Sequence, residues 1–140
     1  MGPPPILTEA GWLVLYHGVN EKIEYKLGWL LLDEHNPEKI LARSCEPAFS
    51  PGETYELSGL VDILPGGFER LKNMSENDLA QFIEQSGVEG SMPHVIFCCG
   101  AVLLGDELRV VYGASDSVIC GATARLEDLL ASPADWFGGL

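Results

Sequence analysis

An all-β domain interrupted by one short helical insertion is the fold class this sequence predicts, and three observations carry the prediction. Short runs of branched, aromatic and aliphatic residues recur along the chain, each bounded by Gly, Asn or Pro, which is the pattern of strands joined by tight turns. Two of these runs, Trp12-Leu13-Val14-Leu15-Tyr16-His17-Gly18 and Leu108-Arg109-Val110-Val111-Tyr112-Gly113-Ala114, align with each other, and a second strand follows each. Residues 62–92 alone change character. There Ser75 stands as an N-cap before Glu76, Asn77 and Asp78, and Leu79, Phe82 and Ile83 recur at i, i+3 and i+4, the period of an amphipathic helix.

The elements follow in order. Gly11 to Gly18 reads as a strand, and the polar stretch Asn20 to Lys22 turns it into a second, Ile23 to Asp33. That second strand places Tyr25, Leu27, Trp29 and Leu31 on one face and Lys26, Gly28, Leu30 and Leu32 on the other, so it is expected inside a sheet covered on both sides. His35-Asn36-Pro37-Glu38 is a turn by composition, and Lys39 to Arg43 makes one more short strand. Pro47, Pro51 and Gly52 then break regularity as far as Tyr55. Beyond the insertion, Pro93 to Leu104, Glu107 to Tyr112 and Ser117 to Arg125 read as three strands, and Leu126 to Leu130 as a short helix. A repeated unit of about four strands is what a propeller blade looks like; a β-sandwich is the alternative on spacing alone.

Length and composition set the bounds. A chain of 140 residues is one domain by size and buries ~68 to 70% of the surface its unfolded form exposes. Apolar residues at 46% and charged ones at 21% exclude a disordered or collagen-like chain. Eight Lys and Arg against 21 Asp and Glu leave a net charge of -13. Such a field repels phosphate polymers, so neither nucleic acid nor an anionic membrane is expected as a partner. Cys45, Cys98, Cys99 and Cys120 occur without any CxxC spacing, and the neighbours Cys98 and Cys99 point to opposite faces of a strand. No metal site is expected, and the chain reads as cytoplasmic with reduced thiols.

The run Gly2-Pro3-Pro4-Pro5-Ile6-Leu7-Thr8 leading into Gly11-Trp12, Tyr16-His17-Gly18 and Val19 resembles a signature of glycoside hydrolase family 130, the β-mannoside phosphorylases and related mannosidases. Three further segments agree in order: Tyr25 to Gly28 with Leu31-Leu32-Asp33; Pro37 to Ser44 with Pro51 and Tyr55-Glu56; and Val95 to Gly100 with Val111 to Asp116. The resemblance implies antiparallel four-stranded blades of a five-bladed β-propeller, of which residues 1–140 would form about the last two, with 62–92 inserted. It implies phosphorolysis of a β-mannoside or manno-oligosaccharide by inorganic phosphate as co-substrate, or hydrolysis in some members, with no other cofactor. The family's acidic catalyst, an Asp, lies in an earlier blade and has no match here. No residue of this chain is therefore catalytic, and the isolated chain is expected to be inactive, completed by an N-terminal propeller fragment or by a second copy of itself. A non-catalytic carbohydrate-binding or assembly module is the other reading.

Individual residues follow from the same resemblance. His17 matches a histidine of the phosphate site, although a turn histidine explains the position equally on spacing. Tyr25 and Phe97 match positions lining the sugar funnel, with core packing as the alternative for Phe97. Asp116 matches a sugar-contacting carboxylate, in a turn where an Asp is otherwise ordinary. Arg43 and Glu56 match recurrent positions that a bridge between blades explains as well as a ligand does, and Lys26 reads as structural. The insertion either extends over the funnel or mediates oligomer contacts.

Overall fold

Alternation builds the first sheet. In β2 (Gly11–Val19), Leu13 and Leu15 are buried while Trp12, Val14 and Tyr16 between them are half-buried. Its partner β3 (Tyr25–Leu32) buries Leu27, Trp29 and Leu31 on the same face, as the sequence pattern requires. The computed structural model describes residues 2–59, 70, 73–86 and 92–137. Within them the first sheet has the order β1-β2-β3-β4-β8 and the second β5-β6-β7, with antiparallel pairing throughout. The remaining strands are β1 (Ile6–Thr8), β4 (Ile40–Ser44), β5 (Ile96–Leu104), β6 (Glu107–Ala114), β7 (Val118–Arg125) and β8 (Ala134–Trp136).

The two sheets carry five and three strands, not four and four, because β8 returns to pair with β4. β1 and β8, at three residues each, are too short to show an alternation in sequence. A four-residue helix, α1 (Thr54–Leu57), also went unpredicted after the prolines. The helix expected in the insertion is present as α2 (Glu76–Ser86), and the Ser75 hydroxyl accepts the Asp78 N–H at 3.2 Å. The rest of the 62–92 segment, apart from Arg70, Asn73 to Ser75 and Met92, lies outside the described residues, as do the side chains of Leu79 and Ile83. α3 (Leu126–Leu130) follows β7 as predicted.

The core lies between the sheets, with Leu13, Leu15, Leu27, Trp29, Leu31 and Ala42 facing Ile96, Cys98, Leu108, Tyr112 and Ala114. Cys98 is 1% exposed and Cys99 is at the surface, the opposite faces that adjacent strand residues must take. Trp29 is fully enclosed, and its indole N–H donates to the Ser132 hydroxyl at 3.1 Å, so the ring's polar edge is satisfied while its surface is withdrawn from water. The second face of β3 is covered at Gly28 by Tyr16: a Cβ on Gly28 would stand 2.5 Å from the Tyr16 ring. Arg43 donates to the Tyr16 hydroxyl at 3.2 Å above that contact. Gly11, at φ +125°, is needed for a second reason, since a Cβ there would meet the Leu32 carbonyl oxygen at 2.3 Å.

Because Trp29 is fully buried in the core between the sheets, Trp29→Ala is expected to cost about 3 to 5 kcal/mol, read from the urea midpoint; a loss below ~1 kcal/mol would mean the sheets are not packed on this ring.

Candidate functional site

The candidate residues come from four segments that meet at one end of the paired sheets. Asn20 shapes the first. Its side-chain oxygen accepts the Lys22 and Glu24 N–H groups at 3.0 Å each, and its carbonyl accepts the Ile23 N–H at 2.9 Å. This cage drives Ile23 to φ 64°, a left-handed conformation that a β-branched residue adopts only when its surroundings over-determine it. The following residue pair opens β3, where the Tyr25 N–H donates to the His94 carbonyl at 2.9 Å and Tyr25 bridges Val95 in parallel. That bridge stitches the first sheet to the second two residues before Phe97.

Asp116 arrives by a tight hairpin. β6 ends at Ala114 and β7 starts at Val118, with the Ser117 N–H on the Ala114 carbonyl at 3.0 Å and both central residues left-handed, Ser115 at φ 46° and Asp116 at φ 51°. Two consecutive positive φ values define a type I′ turn, whose twist matches that of its strands.

Together Ile23, Tyr25, Met92, Val95, Phe97 and Asp116 line a cavity of about 230 Å³. Tyr25, Phe97 and Asp116 are thus brought to one cavity: two aromatic rings and one carboxylate, the residue types that hold a pyranose ring by stacking and by paired hydroxyl contacts. Partial burial raises the Asp116 carboxyl above its usual range, against a hydrogen bond from the Met92 N–H that lowers it. Met92 is the last residue of the insertion, so that segment reaches the cavity with at least one side chain. Ile23, Met92 and Val95 were not singled out in the sequence, where each is an unremarkable apolar residue. A larger open groove of about 490 Å³ on the far face of the first sheet holds Tyr16, Arg43 and Asp135 and none of these residues.

His17 stands behind the cavity and not in its lining. Its ring stacks on Phe97, centroids 4.1 Å apart and 9° from parallel. Its Nε2 accepts the Cys98 N–H at 2.8 Å. A backbone amide is always a donor, so Nε2 must carry a lone pair, the imidazole is neutral, and its proton sits on Nδ1. Nδ1 is buried with no hydrogen-bond partner among the described residues. Burial lowers the His17 pKa, in keeping with the neutral form.

The other residues divide cleanly. Glu56 is 1% exposed and bridges α1 to the second sheet, its carboxylate accepting the Tyr112 hydroxyl at 2.6 Å. Arg43 sits over Tyr16, remote from the cavity. Lys26 pairs with Glu24 at 3.1 Å.

Comparison with known proteins places these features in a family. A family model described as beta-1,4-mannooligosaccharide phosphorylase, of glycoside hydrolase family 130, matches residues 1–73. The beta-1,2-mannobiose phosphorylase of a Thermoanaerobacter species is 36% identical over 124 residues, 89% of this chain and 31% of that protein. The beta-1,4-mannooligosaccharide phosphorylase of Ruminococcus albus is 41% identical over 134 residues, 92% of this chain and 31% of that one. Among solved structures, the beta-1,2-mannobiose phosphorylase of Listeria innocua, in complex with beta-1,2-mannobiose, superposes with a TM-score of 0.67 at 31% identity, covering 92% of this chain and 28% of that chain. The chain therefore spans about a third of the length of these relatives.

A lowered histidine pKa fixes the sign of a pH effect. Above the unfolded value of about 6.5 the His17 contribution to stability is complete; as pH falls through the lower folded value, the unfolded chain takes up a proton that the folded one resists, and stability is lost. Measured against His17→Gln, which keeps an acceptor for the Cys98 N–H but cannot titrate, the wild type is expected to lose relative stability in urea between about pH 7.5 and 5.5. An unchanging difference between the two would show that the imidazole is not held neutral.

Proposed function

The chain belongs to glycoside hydrolase family 130, and from that premise we propose that it forms the C-terminal, sugar- and phosphate-binding part of a β-mannoside phosphorylase. The observation that carries this reading is the convergence of Tyr25, Phe97 and Asp116 on one cavity, with the free Nδ1–H of His17 directly behind Phe97.

In phosphorolysis a phosphate oxygen forms a bond to the anomeric carbon, the glycosidic C–O bond breaks, and the departing sugar oxygen takes up a proton. This chain's residues contribute binding and orientation. Tyr25 and Phe97 flank the mannose ring, and Asp116 accepts hydrogen bonds from two of its hydroxyls. His17 donates its Nδ1–H to a phosphate oxygen. Because the imidazole is neutral, that contact is a directed hydrogen bond and not an ion pair, and the positive charge that balances phosphate must come from residues outside this chain. The proton donor for the leaving group likewise has no counterpart here. Positioning without the reacting groups gives binding without turnover, so the isolated chain is a binder and the enzyme is the assembled propeller. The 62–92 segment, ending at Met92 in the cavity wall, tunes which mannoside fits.

A second reading, as a carbohydrate-binding or assembly module, is favoured by one feature. The outer face of β5–β7 leaves Ile119 84%, Val111 50% and Leu104 50% exposed, a surface that an N-terminal propeller fragment or a second copy would cover. For either reading the cytoplasm is the compartment, with the free Cys45, Cys98, Cys99 and Cys120 in keeping with a reducing setting.

Calorimetric titration of the 140-residue chain with a β-mannobiose is expected to show binding that Asp116→Ala and Tyr25→Ala each weaken about tenfold, roughly 1.4 kcal/mol. His17→Ala should leave the sugar affinity intact and reduce phosphate binding. Unchanged sugar affinity in Asp116→Ala overturns the site; phosphorolysis by the purified chain, abolished by Asp116→Ala, overturns its inactivity.

A further inference from the structure

We propose that Glu56 is the positioning residue for Asp116: it fixes the left-handed turn that presents the Asp116 carboxylate to the cavity, without contacting the sugar itself. The proposal rests on the mannoside-binding reading above.

Both ends of Glu56 are engaged. One carboxylate oxygen accepts the Tyr112 hydroxyl at 2.6 Å, and the other accepts the Gly52 and Glu53 N–H groups at 2.7 and 2.8 Å. Burial raises the carboxyl, but these three donors outweigh it and hold it below the usual glutamate range, so it stays ionised. The same burial and the facing carboxylate push the Tyr112 hydroxyl well above its usual range, so it remains a donor. The main-chain oxygen of Glu56 accepts the Ser115 hydroxyl at 2.7 Å and the His94 N–H at 2.9 Å. Ser115 is fully buried and immediately precedes Asp116. The Ser115 N–H in turn donates to the Val95 carbonyl at 2.9 Å, and the His94 carbonyl receives Tyr25. One residue therefore bonds the segments that carry Val95 and Asp116, and through the His94 carbonyl it reaches Tyr25.

His94, Ser115 and Asp116 all have positive φ, at 60°, 46° and 51°, and such conformations in non-glycine residues cost on the order of 1 kcal/mol or more each. They persist where hydrogen bonds over-determine them, and Glu56 supplies those bonds at His94 and Ser115. Stability alone is a weak reason for burying a charge, because a well-packed apolar replacement for a buried ionic group is often neutral or better. The carboxylate holds Tyr112 and the Gly52 and Glu53 amides, and thereby sets where the Glu56 main-chain oxygen meets Ser115 and His94, which makes sense as a device for placing Asp116.

The test uses Glu56→Gln, whose amide oxygen can still accept the Gly52 and Glu53 N–H groups and whose NH₂ can donate to the Tyr112 oxygen, while the Tyr112 O–H loses the carboxylate as its acceptor. Two readouts separate positioning from simple support: the Asp116 carboxyl titration followed by carbon NMR, and β-mannobiose affinity in Glu56→Gln, Asp116→Ala and the double variant. With the chain folded, Glu56→Gln is expected to shift the Asp116 titration toward the usual aspartate range and to weaken mannobiose about tenfold. Added to Asp116→Ala it should cost less than about twofold more. Should Glu56→Gln fail to fold, Tyr112→Phe, which removes one bond to the carboxylate, is expected to act in the same direction by about threefold. An unshifted Asp116 titration with full affinity overturns the proposal, and so does a loss that adds in full to that of Asp116→Ala. If the wild type binds no mannobiose, or Asp116→Ala binds as well as wild type, the mannoside reading itself has failed and the proposal goes with it.

Discussion

A carboxylate sealed from water must be answered by donors, because stripping its hydration costs several kcal/mol that only close hydrogen bonds recover. At Glu56 that demand organises the junction of the two sheets. The 52–56 segment folds back on itself to aim two amides at one oxygen, β6 turns Tyr112 inward toward the other, and the hairpin after β6 is drawn down by Ser115. The first two answer the charge directly, whereas Ser115 is held by the main-chain oxygen of the same residue. The edge-on contact of Phe49 against Tyr112, centroids 5.1 Å apart, closes the apolar side of the same junction and keeps water from competing for the carboxylate.

How much of this is readable in sequence depends on the range of the interaction. β2, β3, β5, β6 and β7 were legible because alternation and turn residues are local signals. β1, β8 and α1 were not, since three or four residues carry no period and the partner of β8 lies far back along the chain. The candidate site divides the same way. Tyr25, Phe97 and Asp116 entered through resemblance, each being otherwise an ordinary strand or turn residue. What brings them together is a single parallel bridge between Tyr25 and Val95 that no spacing reveals. The protonation of His17 rests on an amide 81 residues away. Glu56, in a polar stretch between prolines and the insertion, was left in sequence between a bridge and a ligand contact and proves to be among the most enclosed side chains. Local polarity misleads here because one of the donors that permit its burial, the Tyr112 hydroxyl, lies 56 residues away.

The weak repeat between Trp12–Gly18 and Leu108–Ala114 acquires a physical meaning from the faces its residues occupy. Tyr16 stands on the side of the first sheet that points away from the second, whereas its counterpart Tyr112 stands on the side of the second sheet that points back toward the first. Sheets stacked in the same sense, each presenting one face to its predecessor, produce that relation; sheets folded face to face as a symmetric sandwich do not. The tyrosine and its neighbours thus mark the receiving side of each layer. On the first sheet, Arg43 and Gly28 make the side that Tyr16 occupies partly polar, which suits it to meet another layer.

The return of β8 to the edge of β4 has a consequence for how the chain assembles. Ala42, Arg43 and Ser44 find their partners in Trp136, Asp135 and Ala134, so the whole of the second sheet is an excursion enclosed between two adjacent strands of the first. During synthesis the β4 edge waits, unpaired, until β5 to β7 and then β8 have been made, so a sheet begun before the second one is completed after it. Loss of β8 would then be felt at a distance, at the β4 edge.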